Sequence, residues 1–121
     1  MAHILLAEDD SSMRSFISST LTKAGHTVEA CHDGLDALEK MGTEQQRLYD
    51  LLLTDIVMPG MDGVELSKRA TDRHPDIKVM FITGFAAVAM KHKKPQQGAK
   101  MLSKPFHLKQ LVSEVDHILQ N

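Results

Sequence analysis

Acidic, hydroxyl and basic side chains follow four of the five short apolar segments in this sequence. They are Glu8, Asp9, Asp10, Asp55, Thr83 and Lys104. Carboxylate oxygens are the ligands that Mg²⁺ prefers, and a lysine amine can stabilise negative charge on a phosphoryl group. A carboxylate can also attack phosphorus and form an acyl phosphate. Brought together, these residues could bind a divalent cation and transfer a phosphoryl group.

Short apolar segments alternate with longer segments of helical periodicity. The apolar segments are 4–7, 28–31, 51–53, 79–82 and 101–102. Between and after them, apolar residues recur at intervals of three and four, most clearly from Leu108 to Leu119. Strands that alternate with helices predict a parallel sheet with helices on both faces. We therefore predict one doubly wound α/β domain that spans residues 1–121, without an output domain.

Local signals mark the ends of several predicted helices. Ser11 or Ser12 is suited to cap the first helix, and Gly25 is suited to end it. Asp-Gly pairs at 33–34 and 62–63 predict turns before the second and third helices.

The carboxyl ends of parallel strands predict where a ligand binds. Ligands of open parallel sheets lie beyond those ends, which brings the acids of separate strands to one edge. Glu8 and Asp9 are the expected Mg²⁺ ligands, together with Asp55. The backbone carbonyl of Val57 is a further candidate ligand. Asp55 is the expected phosphoacceptor because it ends the most buried predicted strand.

Two further residues complete the predicted site. Lys104 would neutralise charge on the phosphoryl oxygens as a point charge. The Thr83 hydroxyl could donate to a phosphoryl oxygen after transfer, and so report the modification to the rest of the fold.

Each candidate also has a plainer interpretation. Acids such as those at 8–10 favour the start of any helix, and Lys104 could be an ordinary solvated lysine. Thr83 could be present only as a β-branched strand residue. Their combination at the ends of several strands favours the functional interpretation.

Composition limits the location and the partners. The chain has 121 residues and a formal net charge of -2, so it has no broad attraction to nucleic acid. Cys31 is the single cysteine, which fits a reducing compartment. No apolar run approaches the ~20 residues that cross a membrane. We therefore expect a cytoplasmic protein that binds neither nucleic acid nor membrane.

Four segments are similar to those of a known family. They are 4–10 (ILLAEDD), 51–63 (LLLTDIVMPGMDG), 81–84 (FITG) and 103–106 (SKPF). In this order and spacing, the chain resembles the receiver domain of two-component response regulators over essentially its whole length. The resemblance implies a flavodoxin-like sheet with strand order 2-1-3-4-5 and five flanking helices. It also implies a cis peptide bond between Lys104 and Pro105.

The resemblance implies a role for each site residue as well. It implies that Glu8 and Asp9 bind Mg²⁺, and that Asp55 accepts the phosphoryl group of a histidine kinase or histidine phosphotransfer protein. It implies that Thr83 and Lys104 contact that group. Such a domain is a signalling protein that catalyses only its own phosphotransfer and dephosphorylation.

One position departs from the family pattern. Met101 occupies a position where receivers usually carry an aromatic residue that moves on activation.

Two segments resemble a narrower group. Segments 81–89 and 99–107 resemble stand-alone receivers of the cell cycle. That resemblance implies an adaptor of the ClpXP protease that is active when unphosphorylated. The alternative is a phosphate relay intermediate or sink without a target of its own.

Overall fold

A five-stranded parallel sheet forms the centre of the protein. The computed structural model describes residues 2–42, 48–84 and 100–120. The strands are β1 (His3–Ala7), β2 (Thr27–Cys31), β3 (Leu51–Asp55), β4 (Lys78–Thr83) and β5 (Lys100–Ser103). Their order in the sheet is β2-β1-β3-β4-β5, and each pair is parallel. The predicted fold class and strand order are thus confirmed.

Four helices flank the sheet in the described part of the chain. They are α1 (Ser11–Lys23), α2 (Gly34–Met41), α3 (Gly63–Arg73) and α4 (Leu108–Gln120). The prediction was five, and the remaining helix was expected between β4 and β5. That stretch, residues 85–99, lies outside the described residues.

The two faces of the sheet bury separate apolar layers. Ile17 and Leu21 of α1 pack with Leu111 and Val115 of α4 on one face. On the other face, α2 and α3 cover Leu5 of β1 and Leu52 of β3. Each leucine side chain buried in this way stabilises the fold by about 2 kcal/mol. Every residue of β3 is buried, as a central strand covered on both faces requires.

Aspartates cap the first three helices. Asp33 and Asp62 accept hydrogen bonds from backbone N–H groups in the first turns of α2 and α3, as the Asp-Gly turns suggested. For α1, the expected serine cap was wrong. The helix begins at Ser11, and the Asp10 carboxylate accepts from the Met13 N–H at 3.0 Å. Gly25, with φ of 103°, follows the end of α1 as predicted.

None of the helices in the described residues is long and apolar enough to cross a membrane.

Candidate functional site

Strand register brings the predicted site residues to one edge of the sheet, which we call the carboxyl edge. Ala7 of β1 pairs with Thr54 of β3, so Glu8 and Asp55 follow at neighbouring positions. Thr83 of β4 pairs with Ser103 of β5, and Lys104 follows directly. The Lys104 N–H also donates to the Thr83 carbonyl at 2.9 Å. The four strand ends therefore gather the acids, the hydroxyl and the lysine.

Three carboxylates form a compact group at the carboxyl edge. One oxygen from each of Glu8, Asp9 and Asp55 lies within 4.8 Å of the others. Glu8 and Asp55 are buried, whereas Asp9 is exposed. Three hard oxygen donors with one open side suit Mg²⁺, which binds few carboxylates and keeps several waters. The donor set therefore fits the cation that the sequence predicted.

Asp10 serves a different purpose from its two acidic neighbours. Its side chain caps α1, and its N–H donates to Glu8 Oε2 at 3.1 Å. Asp10 therefore shapes the turn and lies outside the group of three carboxylates.

Lys104 connects two of the three acids. Its Nζ lies 3.1 Å from Asp55 Oδ2 and 3.1 Å from Glu8 Oε1. Such charge-assisted hydrogen bonds are stronger than neutral ones. The lysine side chain is 21% exposed, so the amine can also reach a group that arrives from solvent.

Burial and neighbouring charges shift the pKa values of Glu8 and Lys104. Burial raises the pKa of Glu8 above its ordinary value, and the nearby Asp55 charge raises it further. The Asp10 N–H and Lys104 oppose this rise without cancelling it. Burial alone would lower the pKa of Lys104, but its bonds to Asp55 and Glu8 outweigh burial and raise it. The Lys104 amine therefore stays cationic at neutral pH.

The backbone at Asp55 is held closely from two sides. The Thr54 hydroxyl donates to the Asp55 carbonyl at 2.9 Å, and the Gly63 N–H donates to the Ile56 carbonyl at 2.8 Å. A Cβ on Gly63 would overlap the Asp55 carbonyl oxygen. A residue without a side chain is therefore required where α3 begins. The sequence indicated a turn at Gly63 but not this close contact.

The remaining predicted residues lie around the same edge. Thr83 is buried at the end of β4. Val57 lies two residues after β3 and is 55% exposed, and a metal-binding role for its carbonyl stays a prediction. Met101 is half-buried beside Phe81, its register partner in β4. The peptide bond between Lys104 and Pro105 is cis, as the resemblance implied.

Arg14 is a participant that the sequence analysis missed. Its Nη1 donates to the Glu8 carbonyl at 2.8 Å, which ties α1 to the end of β1. A signal was present in the sequence. A cation near the start of a helix is unfavourable to the helix dipole, so an arginine there suggests an outside partner.

The fold and this site define a class of protein. The model of the response regulator receiver domain matches residues 4–116, and the chain belongs to that family. Within the family, the chain is 52% identical over 120 residues to the response regulator receiver protein CpdR of Brucella abortus (strain 2308), and the match covers 98% of each. The protein is therefore a signalling domain of two-component systems, similar to CpdR.

Two further similarities place this relationship in context. The chain is 38% identical to a segment of the sensor kinase CckA of the same organism, with 98% of this chain but only 13% of CckA covered. The crystal structure of a response regulator receiver protein from Sinorhizobium medicae WSM419 superposes with a TM-score of 0.87 at 30% identity, covering 98% of this chain and 94% of that one. The receiver fold therefore occurs in relatives of different length.

Proposed function

We propose that this chain is a phosphorylation-controlled switch in which Asp55 accepts a phosphoryl group. The observation that carries the proposal is the Lys104 amine, 3.1 Å from both Asp55 and Glu8, beside three carboxylates grouped within 4.8 Å. Three carboxylates this close together repel one another, so a purely structural role does not account for their arrangement.

The proposed reaction transfers one phosphoryl group. A carboxylate oxygen of Asp55 attacks the phosphorus of a phosphohistidine on a kinase or phosphotransfer protein. The phosphorus–nitrogen bond breaks as the new oxygen–phosphorus bond forms. The electron pair of the broken bond goes to the imidazole nitrogen of the donor protein. The product on this chain is an aspartyl phosphate.

Two kinds of positive charge would stabilise the transferred group. Glu8, Asp9, Asp55 and the Val57 carbonyl would hold Mg²⁺, which would neutralise charge on the phosphoryl oxygens. Lys104 is already directed at Asp55, and its raised pKa keeps the amine charged. We infer that Lys104 transfers its hydrogen bond from the Asp55 carboxylate to a phosphoryl oxygen.

Thr83 is the proposed reporter of the new charge. The residue is buried at the end of β4, beside β5, where a small side-chain movement would displace packed neighbours. Met101, the half-buried neighbour of Phe81 in β5, has a flexible thioether that can fill the space left by such a movement. This pair would take the place of the more usual rotating aromatic side chain.

The proposed output is contact with another protein. The similarity to CpdR over 98% of both chains supports an adaptor of the ClpXP protease, active when Asp55 is unphosphorylated. The similarity to a segment of a sensor kinase supports a histidine kinase or phosphotransfer protein as donor. That second similarity also favours the alternative, a relay or sink that returns phosphate to a histidine.

Intact-mass spectrometry tests the acceptor function. The wild type, incubated with acetyl phosphate and Mg²⁺, should gain one phosphoryl mass, and chelation of the metal should prevent it. Asp55→Asn keeps the size of the side chain but removes the nucleophilic charge, and it should gain none. Asp50→Asn is the matched control, because Asp50 bonds the His3 N–H away from the carboxyl edge. Equal phosphorylation of Asp55→Asn would overturn the assignment.

The output is tested separately. Binding to ClpX should weaken when Asp55 is phosphorylated and should persist in Asp55→Asn. If ClpX binds neither form, and a phosphotransfer protein regains the phosphate within seconds, the relay replaces the adaptor.

A further inference from the structure

Hydrogen bonds fix the turn between β1 and α1 at several points. The Glu8 N–H donates to the Cys31 carbonyl of β2 at 3.0 Å, and the Asp10 N–H donates to the Glu8 carboxylate at 3.1 Å. On the helix side, Arg14 Nη1 donates to the Glu8 carbonyl at 2.8 Å. The Glu8 carbonyl belongs to the peptide plane that begins Asp9. Arg14 therefore sets the orientation of the backbone that carries Asp9.

Asp9 depends on that backbone for its position. Its carboxylate lies within 4.8 Å of the Glu8 and Asp55 carboxylates. Among the residues that the structure describes, none donates a hydrogen bond to it. Repulsion from the two neighbouring acids would drive an unrestrained, exposed carboxylate toward water. The rotamers open to Asp9 therefore depend on its backbone, which Arg14 holds on one side and the Asp10 turn on the other.

Two features of Arg14 indicate more than a surface contact. The residue is half-buried, which restricts the guanidinium. It also lies near the positive end of the α1 dipole, where a cation is disfavoured. Arg14 is unfavourable to α1 but donates a hydrogen bond to the turn that carries Glu8 and Asp9. We therefore expect its main contribution to be to the geometry of that turn.

We propose that Arg14 is a positioning residue for the divalent cation site, and that it holds the Glu8–Asp9 peptide so that Asp9 faces Glu8 and Asp55. This inference rests on the proposed Mg²⁺ site. It adds a residue that would touch neither the cation nor the phosphoryl group. Residues that orient metal ligands typically change metal affinity by ten- to a hundredfold when removed.

Calorimetric titration of the unphosphorylated protein with MgCl₂ tests the proposal. Arg14→Met keeps the aliphatic stem but removes the donor, and its Mg²⁺ affinity should fall about tenfold. Arg14→Lys keeps one donor and the charge, and it should recover most of the affinity. Arg69→Met is the matched control, because Arg69 is an exposed helical arginine paired with Glu65 at 2.9 Å. It should bind Mg²⁺ like the wild type.

Repeating the Mg²⁺ titration at high salt distinguishes a positioning role of Arg14 from a long-range effect of its charge. Loss of an orienting hydrogen bond should persist at about 0.5 M KCl, whereas a long-range charge effect is screened. The proposal is overturned if Arg14→Met binds Mg²⁺ like Arg69→Met, or if its defect vanishes at high salt. A wild type that binds no Mg²⁺ would overturn the proposed function too. Normal wild-type binding with an unaffected Arg14→Met would overturn this inference alone.

Discussion

The two edges of the sheet use polar side chains in opposite ways. At the carboxyl edge, Glu8, Asp55 and Lys104 bond mainly to one another, and the acids outnumber the cation. At the opposite edge, which we call the amino edge, polar side chains bond the backbone. Lys78 Nζ donates to the Ile118 carbonyl at 3.0 Å, and Asp50 accepts from the His3 N–H at 2.8 Å.

A cavity of about 740 Å³ also lies at the amino edge, lined by residues that include His26, Lys78 and Asp116. His26 Nδ1 accepts from the Ala2 N–H at 3.2 Å, and its Nε2 lies 3.4 Å from Asp116 Oδ1. Ala2 and His26 directly precede β1 and β2, so these contacts place the amino ends of both strands beside α4.

Replacement of Lys104 should give the largest effect on stability. Lys104→Met leaves the buried Glu8 and Asp55 carboxylates without their shared cation. Without divalent ions, the free energy of unfolding should fall by about 2 kcal/mol, below the full range for a fully buried pair because the lysine is 21% exposed. Mg²⁺ should bind more tightly, since the ion no longer competes with the amine.

Urea denaturation with and without MgCl₂ measures both consequences for Lys104→Met. An unchanged free energy of unfolding in the metal-free protein would show that the lysine adds nothing net to the acid cluster. The proposed difference between the two edges, charge pairing at the carboxyl edge against backbone bonding at the amino edge, would then have no effect on stability.

Replacement of Glu8 should give a smaller effect of opposite sign. The pKa of Glu8 is raised in the folded protein, so the native state binds its proton more tightly than the unfolded chain does. Stability is therefore lost as pH rises from the ordinary value of 4.5 through the raised pKa. Glu8→Gln removes this loss and should therefore raise the free energy of unfolding at pH 7 in the absence of metal.

The pH profile provides the check on Glu8→Gln. Thermal unfolding should show no gain below pH 4.5, where the carboxyl is protonated in both states. The gain should then grow toward neutral pH. A difference that is constant with pH would assign the effect to packing and not to charge.

The lysine of the amino edge should give the smallest effect. Lys78→Met removes one partly exposed hydrogen bond, to the carbonyl of Ile118 near the end of α4. The free energy of unfolding should fall by about 0.5 kcal/mol, and calorimetric Mg²⁺ affinity should not change. A change in Mg²⁺ affinity similar to that of Lys104→Met would show that the two edges are not separate.

Much of the fold could be predicted from the sequence because the strands and the site obey short-range patterns. The apolar segments and helical periodicities marked β1 to β5 and most helices. The parallel arrangement then placed Glu8, Asp55 and Lys104 at one edge. The cap of α1 was wrongly assigned to Ser11 or Ser12 because serine and aspartate are both common N-cap residues, and only the turn geometry shows that Asp10 caps the helix. The position of Arg14 near a helix start suggests a partner outside the helix, but the identity of that partner, the Glu8 carbonyl, depends on how α1 packs against β1.

Locating the phosphorylated residue is the most direct test of Asp55 as the phosphoacceptor. Borohydride reduces an aspartyl phosphate to homoserine, so peptide mass spectrometry after acetyl phosphate, Mg²⁺ and borohydride treatment locates the acceptor. Homoserine should appear at position 55, and only when Mg²⁺ is present during the reaction. Homoserine at another aspartate, reduction of a glutamate, or phosphorylation that proceeds with the metal chelated throughout would contradict the assignment of Asp55.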